Sequence, residues 1–172
     1  MKFLSIFSLF IASVVVTANP IAPRDADSAK TFRLKTSQAN LPNHNNLYVY
    51  AYHTGAGLND AVLTSDAGTA SPAILNDTTV QFELGTSFPW GLILEGDTNY
   101  AAWELVEINA GAGVPGFSIN GSGLVWNGSG FGGWLVCDWY HNAAQLFWLN
   151  YYYSPVIPSS CSKANLDVEY TS

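Results

Sequence analysis

Short runs in which apolar and polar residues alternate at every second position constrain this chain more than any other feature. Leu47, Val49 and Ala51 alternate with Tyr48, Tyr50 and Tyr52; Val80, Phe82 and Leu84 alternate with Thr79, Gln81 and Glu83; Phe32 and Leu34 alternate with Thr31, Arg33 and Lys35. A period of two puts one set of side chains on each face of an extended strand. Further strand-like runs occupy residues 61–63, 91–94, 101–108, 123–126, 134–139, 145–149 and 166–170. They are short, rich in β-branched and aromatic residues, and separated by Gly, Pro, Asn and Asp. No long stretch carries a helical period, and residues 142–145 reach one turn at most. The pattern predicts an all-β chain: a single-domain antiparallel β-sandwich or barrel-like fold with one disulfide.

The chain begins like a secreted one. Lys2 is followed by an apolar run over residues 3–16, broken only by Ser5, Ser8 and Ser13, and Val16-Thr17-Ala18 offers a small-residue cleavage site before Asn19. The run is shorter than the ~20 residues of a membrane span. Residues 1–18 are therefore expected to be a secretory signal peptide. Residues 19–30 read as a flexible leader or short pro-segment, and residues 31–172 as the folded domain. The expected mature product is soluble and extracellular, with no membrane span.

In an oxidising compartment the two cysteines, Cys137 and Cys161, are expected to form one disulfide. No metal site is expected, because no ligands stand at suitable spacing. Three glycosylation sequons, at Asn76, Asn120 and Asn127, fall in turn-like sequence and become accessible if the chain is secreted.

Charge narrows the partners. The formal net charge is -7, and residues 36–162 contain no Lys or Arg but nine acids. Nucleic-acid binding needs clustered cations to displace counterions from phosphate, and the chain has none to offer. Anionic membrane surfaces are excluded on the same ground.

Residues 111–133 hold nine of the fifteen glycines. Asn120-Gly-Ser-Gly123 and Asn127-Gly-Ser-Gly130 flank Leu124-Val125-Trp126, which reads as a short strand between two tight turns. Gly111-Ala-Gly113-Val-Pro-Gly116 matches the spacing of a dinucleotide fingerprint, but Pro115 stands where the phosphate-binding helix would start. It reads as a turn, and no cofactor is expected. Ser160-Cys-Ser-Lys163 has the S-x-x-K spacing, but Pro158 precedes it and Cys161 is expected to be bridged, so no nucleophile is assigned.

No residue is assigned a catalytic role. His44, His53 and His141 have no metal-binding spacing; Asp138 is placed to orient His141 across Trp139-Tyr140. Glu104 and Glu107 stand three apart in a strand and point to opposite faces. Glu83 and Glu95 have room to approach across a hairpin through residues 85–91. A glycan-active hydrolase would draw its acids from Glu83, Glu95, Glu104 and Asp138.

The aromatic residues carry the leading reading. Tyr48, Tyr50 and Tyr52 share one face of a strand whose other face, Leu47, Val49 and Ala51, is suited to a core. Tyrosine presents a flat apolar body with a polar tip, suited to stacking on sugar rings or to protein interfaces. These three are the expected ligand-binding residues. Six tryptophans and Tyr151-Tyr152-Tyr153 add to the aromatic content; Trp134 and Trp148 lie in apolar runs and are expected in the core.

Four segments together have a familiar look: NLYVYAYHTGAGLNDAVL (46–63), FPWGLILEGDTNYAAWELVEINAGAG (88–113), GFGGWLVCDWYHNAAQLFW (130–148) and PSSC (158–161). They resemble a family of short secreted ascomycete proteins of unknown function, and the likeness spans residues 31–171. The resemblance implies secretion and a fungal extracellular setting, and it transfers no catalytic or ligand residue. The expected protein is non-enzymatic and recognises a cell-wall or host glycan, or a protein partner. The alternatives are a glycan-active hydrolase and a structural wall component.

Overall fold

A computed structural model describes residues 30–96, 102–152 and 156–171. The expected signal peptide (1–18), nearly all of the leader (19–29) and Tyr153 lie outside the described residues. Among the described residues twelve strands follow one another: β1 (Phe32–Ser37), β2 (Tyr48–Gly55), β3 (Leu58–Thr64), β4 (Ala73–Asn76), β5 (Thr79–Phe82), β6 (Trp90–Leu94), β7 (Trp103–Ala110), β8 (Phe117–Asn120), β9 (Gly123–Trp126), β10 (Phe131–Asp138), β11 (Ala144–Asn150) and β12 (Cys161–Tyr170). Among the described residues no helix is long and apolar enough to cross a membrane.

Nine strands close an antiparallel barrel in the order β1-β4-β5-β6-β7-β3-β11-β10-β12. The seam is the β1–β12 ladder, six residue pairs from Phe32↔Tyr170 to Ser37↔Asn165. Of the two expected architectures the barrel is therefore the observed one. Closure pairs the edges that an open sheet would leave to other chains. Three strands stand outside the ring. β2 forms a hairpin with β3, and the β8–β9 hairpin joins β12 through a parallel pairing, Leu166↔Gly123.

The alternation read from the sequence sorts inside from outside. Phe32, Leu34, Val49, Ala61, Leu63, Val80, Phe82, Leu92, Val106, Ile108, Leu146, Trp148 and Leu166 fill the interior. Trp134 and Trp148 are core, as expected, and each indole N–H finds a carbonyl, on Leu124 at 2.6 Å and Glu95 at 2.8 Å. A second, smaller core lies on the outer wall: Leu135, Cys137, Phe147, Leu149 and Cys161, covered by Trp103, Leu105, Trp139 and Ile157. Cys137 and Cys161 face each other across the β10–β12 ladder and form the disulfide.

Two strands escape the sequence pattern. β4 has only four residues and follows Pro72, and β8 lies inside the glycine-rich segment, so neither offers enough alternation to read. The first Asn-Gly does make the expected turn, with Asn120 paired to Gly123 across the β8–β9 hairpin. The fingerprint-like glycines form a strap instead of a nucleotide loop. Gly111 N–H donates to Pro89 O at 2.9 Å and Val114 N–H to Leu92 O at 3.0 Å, laying residues 111–114 along β6.

The outer edge of β7 serves two partners: β11 through Phe147↔Leu105 and β3 through Asp60↔Glu107. β3 and β11 pair with each other at Val62↔Gln145. Three strands thus meet at a fork, and Asp60, Val62, Glu107 and Gln145 share its outer face.

Candidate functional site

The β2–β3 ladder brings the tyrosines to that fork. Tyr50 stands opposite Val62 and Tyr52 opposite Asp60, and Asp60 in turn stands opposite Glu107. Side chains directly across a ladder lie on one face. Tyr52 is 37% exposed, and its ring meets that of Tyr50 edge-on at 6.3 Å between centroids. Tyr48 lies on the same face but is only 8% exposed. Its hydroxyl donates to Glu169 at 3.2 Å, and Lys35 Nζ sits 5.2 Å from its ring centre. Its ring is engaged at the barrel seam, so the exposed platform of three tyrosines narrows to Tyr50 and Tyr52.

The β10–β11 turn supplies the wall. His141 Nε2 donates to Asp60 Oδ2 at 2.9 Å, and its ring lies 4.1 Å from that of Tyr52, tilted by 31°. His141 and Asn142 both adopt left-handed backbone, φ 68° and 53°. Such a pair suits a tight hairpin, and histidine accepts it less readily than asparagine or glycine. The hydrogen bond to Asp60 helps to hold it there. The expected Asp138–His141 pair is therefore not formed. The turn sends His141 over the outer wall to Asp60, whereas Asp138 points to the barrel mouth.

At that mouth Asp138 meets His44. His44 Nε2 donates to Asp138 Oδ1 at 3.2 Å, and Nδ1 is 2.8 Å from Ser162 Oγ. With Nε2 protonated, Nδ1 accepts from the Ser162 hydroxyl, giving a Ser–His–Asp relay that no sequence spacing announced. It is not a catalytic triad. Ser162 is 2% and His44 0% exposed, so no carbonyl can reach the hydroxyl. The relay clamps the short 3-10 turn Pro42–His44 over one end of the barrel, with Thr36 Oγ1 donating to His44 O at 2.7 Å.

The acids regroup as well. Glu83 and Glu95 do not approach, because the β5–β6 register pairs Gln81 with Gly91 and runs Glu95 past the hairpin. Glu83 borders a surface cavity of about 270 Å³ with Phe82, Gly85 and Phe88. Glu104 points into the barrel and is fully buried, opposite in sense to Glu107, as alternation requires. The carboxylates that converge are Glu95, Glu107 and Asp60, of which sequence reasoning had proposed only Glu95. Asn109 Nδ2 donates to Glu107 Oε2 at 2.7 Å.

Burial pushes the Glu107 carboxyl above the usual range. The Asn109 hydrogen bond pulls it down, and Glu95 and Asp60 push it up again. Burial also raises the Tyr50 phenol, with Tyr52 contributing.

Because the folded-state value of Glu107 is raised, the folded protein holds this proton over a pH window in which the unfolded chain has released it. Stability then falls as pH rises from the unfolded value of about 4.5 through the folded one, and the penalty persists at neutral pH. Glu107→Gln keeps the acceptor for Asn109 and removes the charge. It is expected to stabilise the protein at pH 7 by about 0.5 kcal/mol, the size of a cross-strand like-charge contact. The gain should vanish below about pH 4, where both states of the wild type are protonated. Urea melts at the two pH values check this; an equal gain at both contradicts it.

Among the described residues no three His, Cys, Asp or Glu are arranged to hold a metal ion. The arrangement offers a flat aromatic surface, hydrogen-bond acceptors and negative charge. Fold and site together define a closed, disulfide-bearing antiparallel β-barrel with an aromatic–carboxylate face on its outer wall. The chain belongs to the family of the domain of unknown function DUF7907, whose model matches residues 29–170. No curated protein and no solved structure is significantly similar to it.

Proposed function

We propose that this is a secreted fungal protein that acts outside the cell by recognising a surface glycan, with Tyr50 and Tyr52 as the stacking residues. The observation that carries the reading is the exposed Tyr52 ring held between Tyr50 and His141 beside the Asp60 and Glu107 carboxylates. An aromatic face flanked by planar polar groups can meet both faces of chemistry on a sugar, its apolar C–H patch and its hydroxyls. The secretory features of residues 1–18 and the resemblance to short ascomycete proteins support the extracellular setting.

Glycan arrays and pull-downs on insoluble wall and plant polysaccharides test the reading. Tyr52→Ala is expected to weaken binding by roughly fivefold to 150-fold without unfolding the protein, since truncating a stacked aromatic removes on the order of 1–3 kcal/mol. Failure to bind any polysaccharide would sink glycan recognition and leave a protein partner. The raised Glu107 beside two further carboxylates favours a second reading, a glycan-active hydrolase. The same incubations decide it through release of new reducing ends, abolished in Glu107→Gln.

The three sequons belong to the same extracellular reading. Asn76, Asn120 and Asn127 are placed at the surface, the first two beside tight turns and the third at the end of β9. Material from a secreting eukaryotic host is expected to lose mass on glycosidase treatment. An unchanged intact mass would contradict it.

A further inference from the structure

Gln145 adds a group that the barrel does not use. It is 1% exposed, and neither its Nε2 nor its Oε1 has a hydrogen-bond partner among the described residues. A buried amide left without partners costs on the order of 1–3 kcal/mol, and native structures rarely tolerate it without a reason. Its place is the fork. Gln145 stands opposite Val62, and the β7–β11 register that pairs Phe147 with Leu105 sets Gln145 in the same row as Glu107. Asp60 is two residues from Val62 on the same face, and Tyr50 is opposite Val62. The amide thus lies at the base of the patch, with carboxylates and aromatic rings around it.

Charge at this patch runs one way. Asp60, Glu95 and Glu107 crowd together, and the stretch from residue 36 to 162, which builds the whole patch, contains no Lys or Arg. Lys35, which lies over the Tyr48 ring from β1, is already held by Glu169 at 3.5 Å, and the imidazole at the patch, His141, contacts Asp60 alone of these carboxylates through Nε2. Like charges set directly across a ladder destabilise the sheet, and a bound cation would relieve them. An anionic ligand would be repelled.

We infer that the patch binds an amino sugar: a pyranose ring stacked on Tyr52, its ammonium group on Asp60 and Glu107, and a hydroxyl on the Gln145 amide. This rests on the glycan reading above and names its ligand class. A lysine side chain would satisfy the carboxylates but leaves the amide half paired. An ammonium group only donates, whereas a sugar hydroxyl both donates and accepts, as the amide does. Because Gln145 is 1% exposed and Asp60 is held by His141, the sugar must displace the His141 latch as it binds, which frees Asp60 for the ammonium and uncovers the amide.

The test uses the full mature chain and calorimetry with three probes: a glucosamine hexamer, its fully N-acetylated counterpart, and hexalysine. The glucosamine hexamer should bind at least about tenfold more tightly than the acetylated one, because acetylation removes the charge and with it charge-assisted hydrogen bonds. Its binding should weaken with added salt. Glu107→Gln and Gln145→Leu should each lower its affinity at least about fivefold, with thermal unfolding showing that both variants are folded.

Gln145→Leu replaces the unpaired amide with an apolar group and is expected to fold at least as well as the wild type. Equal affinity for the two hexamers would overturn the amino-sugar assignment while leaving glycan recognition standing. Hexalysine binding as tightly as the glucosamine hexamer would overturn it in favour of a basic protein partner. Undiminished binding by Gln145→Leu would remove the amide from the site, and no binding of either hexamer or of any polysaccharide would defeat both readings.

Discussion

Replacing both Cys137 and Cys161 by alanine is expected to lower the unfolding free energy by about 3 kcal/mol. The bond closes a loop across 24 positions of sequence that contains the whole of β11. In the unfolded chain it removes the loop-closure entropy of a segment of that length. In the folded chain it joins two residues that the β10–β12 ladder already sets opposite each other, so its removal need not disturb the barrel. A second contribution comes from packing. Both cysteines sit in the outer-wall core with Leu135, Phe147 and Leu149, and each alanine leaves a small void there. Against a typical total of about 5–15 kcal/mol the loss is large. Urea denaturation of the double variant, and of the wild type with reductant, measures it. A change below about 1 kcal/mol would contradict the account.

Gly91→Ala is expected to be at least as damaging, by about 3 kcal/mol or more, for a different reason. A Cβ at residue 91 would collide with the backbone nitrogen and Cα of Gly113 and with the carbonyl carbon of Ala112. These are main-chain atoms of the strap that bonds to Pro89 and Leu92, and they cannot rotate aside as a side chain would. Relief requires lifting the strap from β6, which sacrifices its hydrogen bonds and exposes the barrel wall beneath. Gly113 itself is left-handed at φ 84°, so the strap has little freedom to adapt. Gly96→Ala, where nothing lies within 4 Å of the added carbon, is the control and should be nearly neutral. A thermal melt in which both variants match the wild type would show that the close approach does not exist.

The strands could be read because a barrel wall has one dry face and one wet face, and Val49, Val80, Phe82, Val106 and Ile108 all repeat at the period that this demands. The glycine strap could not, since the need for Gly91 arises from Gly113, twenty-two residues away, and no local pattern encodes a contact between two backbones. The site shows the same division. Tyr50 and Tyr52 were legible because their strand announces its own outer face. Glu107 and Asp60 were not, since what joins them is the fork at which β7 changes partner, a property of closure. His141 was visible as a histidine next to a carboxylate, but the carboxylate it meets is eighty-one residues distant in sequence. The relay among Ser162, His44 and Asp138 was hidden for the same reason.

The ladder that closes the ring joins the first strand to the last, Phe32 beside Tyr170. During synthesis, β1 is the earliest strand made and β12 the latest. No order of local folding can finish the cylinder before β12 has left the ribosome. Pairings this distant in sequence form slowly, on the order of milliseconds to seconds, because the entropy of bringing the ends together is lost before any contact rewards it. Through that interval β1 offers an open edge to which another copy can add. Truncation at either terminus would make the interval permanent: with β1 or β12 missing, the same seam stands open in the finished protein, and the expected consequence is aggregation of an otherwise intact wall.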